Sequence, residues 1–427
     1  MPRSAREKLR PIVEDVHTGV IDALDKPSAV ATPEEARALA GRLAGAGVAG
    51  FASPDSAARL RSVCEMLFRA HIDDDAVLDL LEACLSSPSP GAALLNVHRY
   101  LENAGGVAVF MGTVVGARPV LEMITTVFGA SQYMADIIIR NPSTVYWLME
   151  SATWSSSDTV EGYTEWLSRE AAMFRGVGAK LDAVRRAHRL ALLKIGVADL
   201  VHNEPVEGVT RRLSHLADAV AGVVLGVVAE EVEAAGGEGR GLAVIAMGKL
   251  GGGELNYSSD IDLIYACEDT DDETIALYTK CARRFTDALS ELTSEGYLYR
   301  VDLRLRPDGR AGPLVNPETA LRIYYENRGR PWEFQAMLKA RVIAGNRELG
   351  ERLLGVIGSL AFNPSLSYSP LDDIARMRVQ IKENIPERER GLNIKLMEGG
   401  IRDVEFVAQT VQLMHGQRYP ELRTPNT

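Results

Sequence analysis

Residues 241–267 read GLAVIAMGKLGGGELNYSSDIDLIYAC, with two aspartates one residue apart in the second apolar run. Aspartate is a poor strand former and is costly to bury, so Asp260 and Asp262 need a reason to be there. GLAVIAM suits a buried central strand feeding a glycine cluster, and DIDLIYA reads as a second strand. Side chains alternate along a strand, which puts Asp260 and Asp262 on one face and Ile261, Leu263 and Tyr265 on the other. The two aspartate Cα atoms then lie roughly 6–7 Å apart, close enough for both carboxylates to converge.

A third strand is expected in YLYRVDLRLRPDG, residues 297–309. It sets Arg300, Asp302, Arg304 and Arg306 opposite Tyr299, Val301, Leu303 and Leu305. Each charged strand offers an apolar side to a helix layer and a charged side to a cleft. Clustered carboxylates raise one another's pKa unless a cation holds them ionised. Oxygen ligands with no His or Cys nearby suit magnesium or manganese, and the arginines suit the phosphate oxygens of a metal-bound ligand. Two such cations about 4 Å apart stabilise the attacking and leaving oxygens of a phosphoryl-type transfer. Glycines 248 and 251–253 let backbone N–H groups face a phosphate, because no Cβ blocks the approach. Neither a Walker A loop nor G-x-G-x-x-G is present. Either charged strand alone also fits a solvated edge with surface ion pairs; glycines, D-x-D and a third aspartate together point to chemistry. Lys339 and Arg341, in MLKARVIAG, are placed towards the cleft. Asp403 and Glu405, in RDVEF, are read as acids favoured by a helix start.

Around this centre the chain reads as helical. Thr32-Pro33 and Ser53-Pro54 are helix-start signals, and residues 86–91 and 151–162 are turn-rich breaks. Two long helices are expected over 163–201 and 206–235, and another over 272–296 with Tyr278, Cys281, Phe285, Leu289 and Leu292 on its buried face. PETALRIYYENRG and PWEFQAMLKARVIAG read as helices over the sheet. After 363–370, helices resume with Ile401, Val404, Ala408 and Val411 as an apolar stripe. The fold class is α+β, mostly helical, with expected divisions at 1–160, 161–236, 237–346 and 347–427.

The chain has 427 residues, 46% hydrophobic and 25% charged, with formal net charge −11. That charge counts against an extended nucleic-acid surface. The four cysteines form no C-x-x-C pair and read as buried thiols of a reducing compartment. The start lacks a signal-peptide core, and the apolar run 219–229 is too short to span a bilayer. A soluble, cytoplasmic protein with no membrane partner is expected.

Four segments carry a resemblance: AMGKLGGGELNYSSDIDLIY, YRVDLRLRPDGRAGPLV, RGRPWEFQAMLKARVIAG and NIKLMEGGIRDVEFVAQTVQLMHGQRYPELRT. In order and spacing they resemble the bacterial bifunctional glutamine synthetase adenylyltransferase/adenylyl-removing enzymes. SQYMADIIIRNPSTVYWLME and the stretch from Arg189 to Val224 are similar to family segments too, so the resemblance covers most of the chain after about residue 90. It implies a nucleotidyltransferase-fold sheet domain between helical regions. ELNYSSDIDLI is more similar to the N-terminal, adenylyl-removing half, and the chain stops at RTPNT where the family runs on, which implies an N-terminal piece. Gly253 departs from the family, in which many members carry a larger polar residue.

The reaction so implied is phosphorolysis of adenylyl-tyrosine on glutamine synthetase, releasing ADP. Asp260, Asp262 and Asp302 are implied to hold two Mg2+ (or Mn2+) ions. Gly251, Gly252 and Ser259 are implied to hold the AMP phosphate, and Arg304, Arg306, Lys339 or Arg341 the inorganic phosphate. Glutamine synthetase, phosphate and an adenine nucleotide are the implied partners, and a PII-type signalling protein is a further one the resemblance allows. Alternatives from the residues alone are adenylyl or uridylyl transfer to a protein, a non-catalytic nucleotide sensor, and nucleic-acid tailing.

Overall fold

The computed structural model describes residues 4–22, 31–103, 106–107, 110, 114, 117–151, 158–234, 241–362, 375–379, 393–395 and 397–426. The chain forms two compact units, one of residues 1–156 with 189–209 and one of 157–188 with 210–427.

The first unit is helical. Thr32 caps the helix Pro33–Gly45 through a capping box with Glu35, and Ser53 and Asp73 cap Pro54–Arg69 and Asp74–Ser86. Leu60, Leu67, Leu78, Leu81, Tyr100 and Phe128 are among its fully buried side chains. Of the expected break at 151–162, residues 152–157 lie outside the described residues, as do 235–240 and 363–374.

The second unit carries the sheet. β1 (Leu242–Met247) is central and pairs antiparallel with β2 (Ile261–Cys267) and with β5 (Arg341–Gly345). β3 (Val301–Asp302) and β4 (Val315–Pro317) both run parallel to β2, β3 beside its start and β4 beside its end. Ile245, Met247, Ile264, Leu321, Phe334, Leu349 and Leu353 pack on one face, which helices Glu318–Arg328, Pro331–Met337 and Arg347–Ala361 cover. On the other face Tyr265 meets Phe285 of helix Asp272–Ser290 edge-on, and its hydroxyl bonds Thr286 at 2.8 Å.

Several expectations are corrected. β2 is not amphipathic along its length: Ile264 and Ala266, on the face of Asp262, are as buried as Leu263 and Tyr265. Charge is confined to the strand's entrance, so the acids gather at the strand ends rather than across the sheet. The third strand is two residues long. Past Val301–Asp302 the Asp302 carboxylate accepts the Arg304 backbone N–H at 2.8 Å and turns the chain out of the ladder, a local bond that competes with sheet pairing. ARVIAG is strand β5 rather than helix, consistent with its β-branched pair Val342-Ile343.

The long helix expected over 163–201 is two, Val160–Ala172 and Val177–His202, broken where Gly176 adopts φ +83°. Helix 272–290 stops before Leu292, which is 77% exposed, because Leu298 and Tyr299 both donate to the Leu289 carbonyl. The stripe on helix Ile401–His415 faces outward, and Gln409, Thr410 and Gln412 form the buried side. Finally, helix Val206–Ala234 as a whole is long and apolar enough to cross a bilayer, but 78% of its apolar window is buried in the protein. All four cysteines are buried free thiols.

Candidate active site

Parallel pairing of β2 with β3 sets Asp262 directly beside Asp302, and antiparallel pairing sets Met247 opposite Asp262 on the other side. Three chain segments therefore meet at one corner: the exit of β1 and the entrances of β2 and β3. Asp260 stands just before β2. Burial first, then the charges of Asp302 and Asp260, push the Asp262 carboxyl up to about 6. The three acids thus share one electrostatic neighbourhood, with Asp262 at its buried end.

Each outer acid has an arginine. Arg300 Nε donates to Asp260 Oδ1 at 2.6 Å. Arg304 Nε donates to both oxygens of Asp302, at 2.8 and 3.0 Å. That bonding holds the Asp302 carboxyl below its ordinary range, with Arg310 adding to the pull. Among the described residues, no three acid, His or Cys side chains stand gathered as a ready cation shell, and Asp260 and Asp302 bond their arginines instead. The donor set still fits a hard divalent cation. It is all carboxylate oxygen, Asp262 and Asp302 are register partners with Asp260 just before the strand, and the buried member gains from added positive charge.

The glycine turn lies beneath this corner. Gly248 to Gly251 make one helical turn, with Gly248 at φ +55°. A Cβ on Gly248 would stand 2.5 Å from Asp262 Oδ2, so only glycine lets β1 leave the sheet under that carboxylate. Gly251 and Gly252 are both buried, and Gly252 donates its N–H to the Gly248 carbonyl at 3.0 Å. A Cβ on Gly251 would strike the Lys339 carbonyl at 2.2 Å, and one on Gly252 the Pro425 carbonyl at 2.9 Å. These glycines bring backbone close to backbone. Ser259 is half-buried and donates its backbone N–H to Asn256.

Three of the four expected phosphate-gripping cations have other partners. Arg306 folds its own loop, donating to the carbonyls of Leu303 and Pro313 at 2.7 and 3.1 Å. Lys339 is buried and pairs with Glu405 at 2.7 Å and with Glu254. Arg341 pairs with buried Asp218 and donates to the carbonyls of Leu250 and Gly251 at 2.9 and 3.1 Å, which fixes the glycine turn from behind. Glu405 is thus an ion-pair partner rather than a bare helix-start acid, and Asp403 pairs with Arg378. Arg304 remains directed at the acids.

Two cations were not anticipated. Lys249 is half-buried within the glycine turn, and burial followed by the charge of Lys395 lowers its pKa. Asn256, with its amide oriented to satisfy both ends, accepts from Lys249 Nζ at 3.0 Å. Lys395 also acts on Asp262, pulling against the acids. Lys249 lies inside the stretch that decides the fold and could have been read there. Lys395 reaches the site from 133 positions beyond Asp262, and no local pattern announces it.

Comparison with known proteins places these features in context. Residues 121–356, more than half of the chain, match the family described as glutamate-ammonia ligase adenylyltransferase. Residues 375–426 match the family described as GlnD PII-uridylyltransferase. The chain is 34% identical over 387 residues to a bifunctional glutamine synthetase adenylyltransferase/adenylyl-removing enzyme of Streptomyces avermitilis. It is 35% identical over 393 residues to that of Streptomyces coelicolor. Both alignments cover 88% of this chain and 37% of the relative, so the chain spans little more than a third of their length. The similarly named enzyme of Nitrosococcus oceani is 34% identical over 71% of this chain and 33% of its own length.

Proposed function

The chain belongs to the glutamate-ammonia ligase adenylyltransferase family, and from that premise we propose that its sheet unit removes AMP from adenylyl-tyrosine of glutamine synthetase by phosphorolysis. The observation that carries this reading is the side-by-side register of Asp262 and Asp302, with Asp260 one step outside. In this reaction an oxygen of inorganic phosphate forms a bond to the AMP phosphorus while the bond from phosphorus to the tyrosine oxygen breaks. ADP leaves, and the phenolate takes the proton that hydrogen phosphate gives up.

Asp260, Asp262 and Asp302 would hold Mg2+ or Mn2+. Bound there, the cation supplies positive charge against which a phenolate of ordinary pKa about 10 can leave without a protonated histidine. The chain's own groups orient the reactants. Arg304 can grip phosphate oxygens through its planar fork, and Lys395 adds positive charge felt by Asp262. Gly248 leaves the space that Asp262 needs, and Arg341 with Asp218 holds the turn rigid. The helical regions would recognise the folded protein substrate, with a PII-type protein as a further partner.

The test is incubation with adenylylated glutamine synthetase, Mg2+ and phosphate. ADP release that needs phosphate supports removal. Labelling of unmodified glutamine synthetase from ATP, without phosphate-dependent ADP release, supports adenylyl transfer instead. Transfer of UMP to a PII-type protein is the outcome that the match over residues 375–426 would favour.

A further inference from the structure

Arg300 and Arg304 flank the same acids but are held in different ways. Arg300 is anchored by several groups: Asp260 at 2.6 Å, the Tyr297 hydroxyl at 3.3 Å and the Ser258 carbonyl. Its own carbonyl accepts the Ile261 N–H at 2.9 Å, which ties it to the start of β2. The Arg304 side chain has its hydrogen bonds, among the described residues, to Asp302 alone, through Nε and Nη2. It is 66% exposed and stands on a turn rather than in a strand. Its charge is also felt by Asp262 and Asp260.

Asp302 therefore has two claimants. The guanidinium spans both of its oxygens, and the proposed function asks the same oxygens to hold a divalent cation. We propose that Arg304 is an exchangeable counter-ion. It yields Asp302 to the cation, swings on its exposed turn and grips the phosphate beside the cation, so that cation and phosphate each strengthen the other's binding. This rests on the proposed function, in which the three aspartates hold the cation and phosphate is the co-substrate.

The competition is of modest size. An ion pair whose arginine stands largely in solvent holds back a competitor by roughly two- to fivefold. A planar fork freed from a carboxylate matches a phosphate equally well, and linkage requires that whatever phosphate does for the cation, the cation does for phosphate. Arg300 needs no exchange: it bonds only Oδ1 of Asp260, which leaves that acid its other oxygen, and Arg300 stays on the Ser258 carbonyl and the Tyr297 hydroxyl.

The experiment is calorimetric titration of the full chain with Mn2+, in the absence and presence of saturating inorganic phosphate. For the parent, phosphate should tighten Mn2+ binding at least about fivefold, the lower end of ordinary coupling. Arg304→Ala should bind Mn2+ roughly two- to fivefold tighter without phosphate and lose the tightening with it. Arg304→Lys keeps the charge without the fork and should keep only part of the coupling. Arg304 is exposed, so neither variant threatens the fold. Mn2+ binding that depends on Asp262 but is unchanged by Arg304→Ala, or that keeps its full response to phosphate in that variant, overturns the exchange alone. Mn2+ binding that is missing from the parent, or unchanged in Asp262→Asn, overturns the cation reading and the exchange with it.

Discussion

Asp262→Asn should make the protein more stable at neutral pH while destroying its proposed activity. Ionised Asp262 is held at the buried end of a cluster of like charges, which raises its carboxyl from the ordinary 3.8 to about 6. A raised carboxyl value means that the folded state binds the proton more tightly than the unfolded chain does. Its contribution to stability is therefore full below about pH 4, falls as pH rises through 6, and is gone by pH 8. The difference between 3.8 and 6 is about 3 kcal/mol. Asparagine has nearly the shape of the protonated acid and no charge to lose. In chelator at pH 8 the variant should gain about 2–3 kcal/mol, and the gain should shrink to within about 0.5 kcal/mol near pH 4. Urea unfolding at the two pH values measures this directly. Adding Mg2+ should narrow the pH 8 difference by stabilising the parent. Equal midpoints at pH 8 in chelator, or a gain that ignores pH, would show that Asp262 is not the strained charge described above.

Gly248→Ala puts a methyl 2.5 Å from Asp262 Oδ2 at a residue with φ +55°; it should cost about 1–3 kcal/mol and most of the ADP-releasing activity, read by thermal unfolding and turnover. Arg341→Met should destabilise the fold by about 3 kcal/mol, because it leaves the Asp218 carboxylate buried and unpaired. Its phosphate KM should stay within about twofold of the parent once the variant is assayed where it is folded, and a large KM rise there would restore Arg341 to phosphate binding.

The reach of the sequence is clearest in residues 241–267. Apolar runs of strand length around a glycine cluster determined β1, the turn and β2, with two aspartates at the entrance of β2. Those signals are local: propensity, alternation and the absence of a Cβ act within a few residues. Helix caps such as Thr32 and Ser53 were legible for the same reason.

What periodicity cannot say is which neighbour an element acquires. YLYRVDLRLRPDG alternates like a long strand, yet only two residues pair, because β4 takes the place beside the rest of β2 and the Asp302 carboxylate turns the chain. The fates of the basic residues were decided at longer range. Lys339 meets Glu405 across 66 positions and Glu254 across 85, and Arg341 meets Asp218 across 123. A buried charge must find an opposite one wherever the fold supplies it, so these side chains became struts for the glycine turn. The same tertiary choice set Asp302 against Asp262 and brought Lys395 to the corner. The sequence by itself determined the kinds of group available for phosphoryl chemistry; which of them stand together was decided by strand pairing and by the pairing of buried charges, both of which act between segments far apart in the chain.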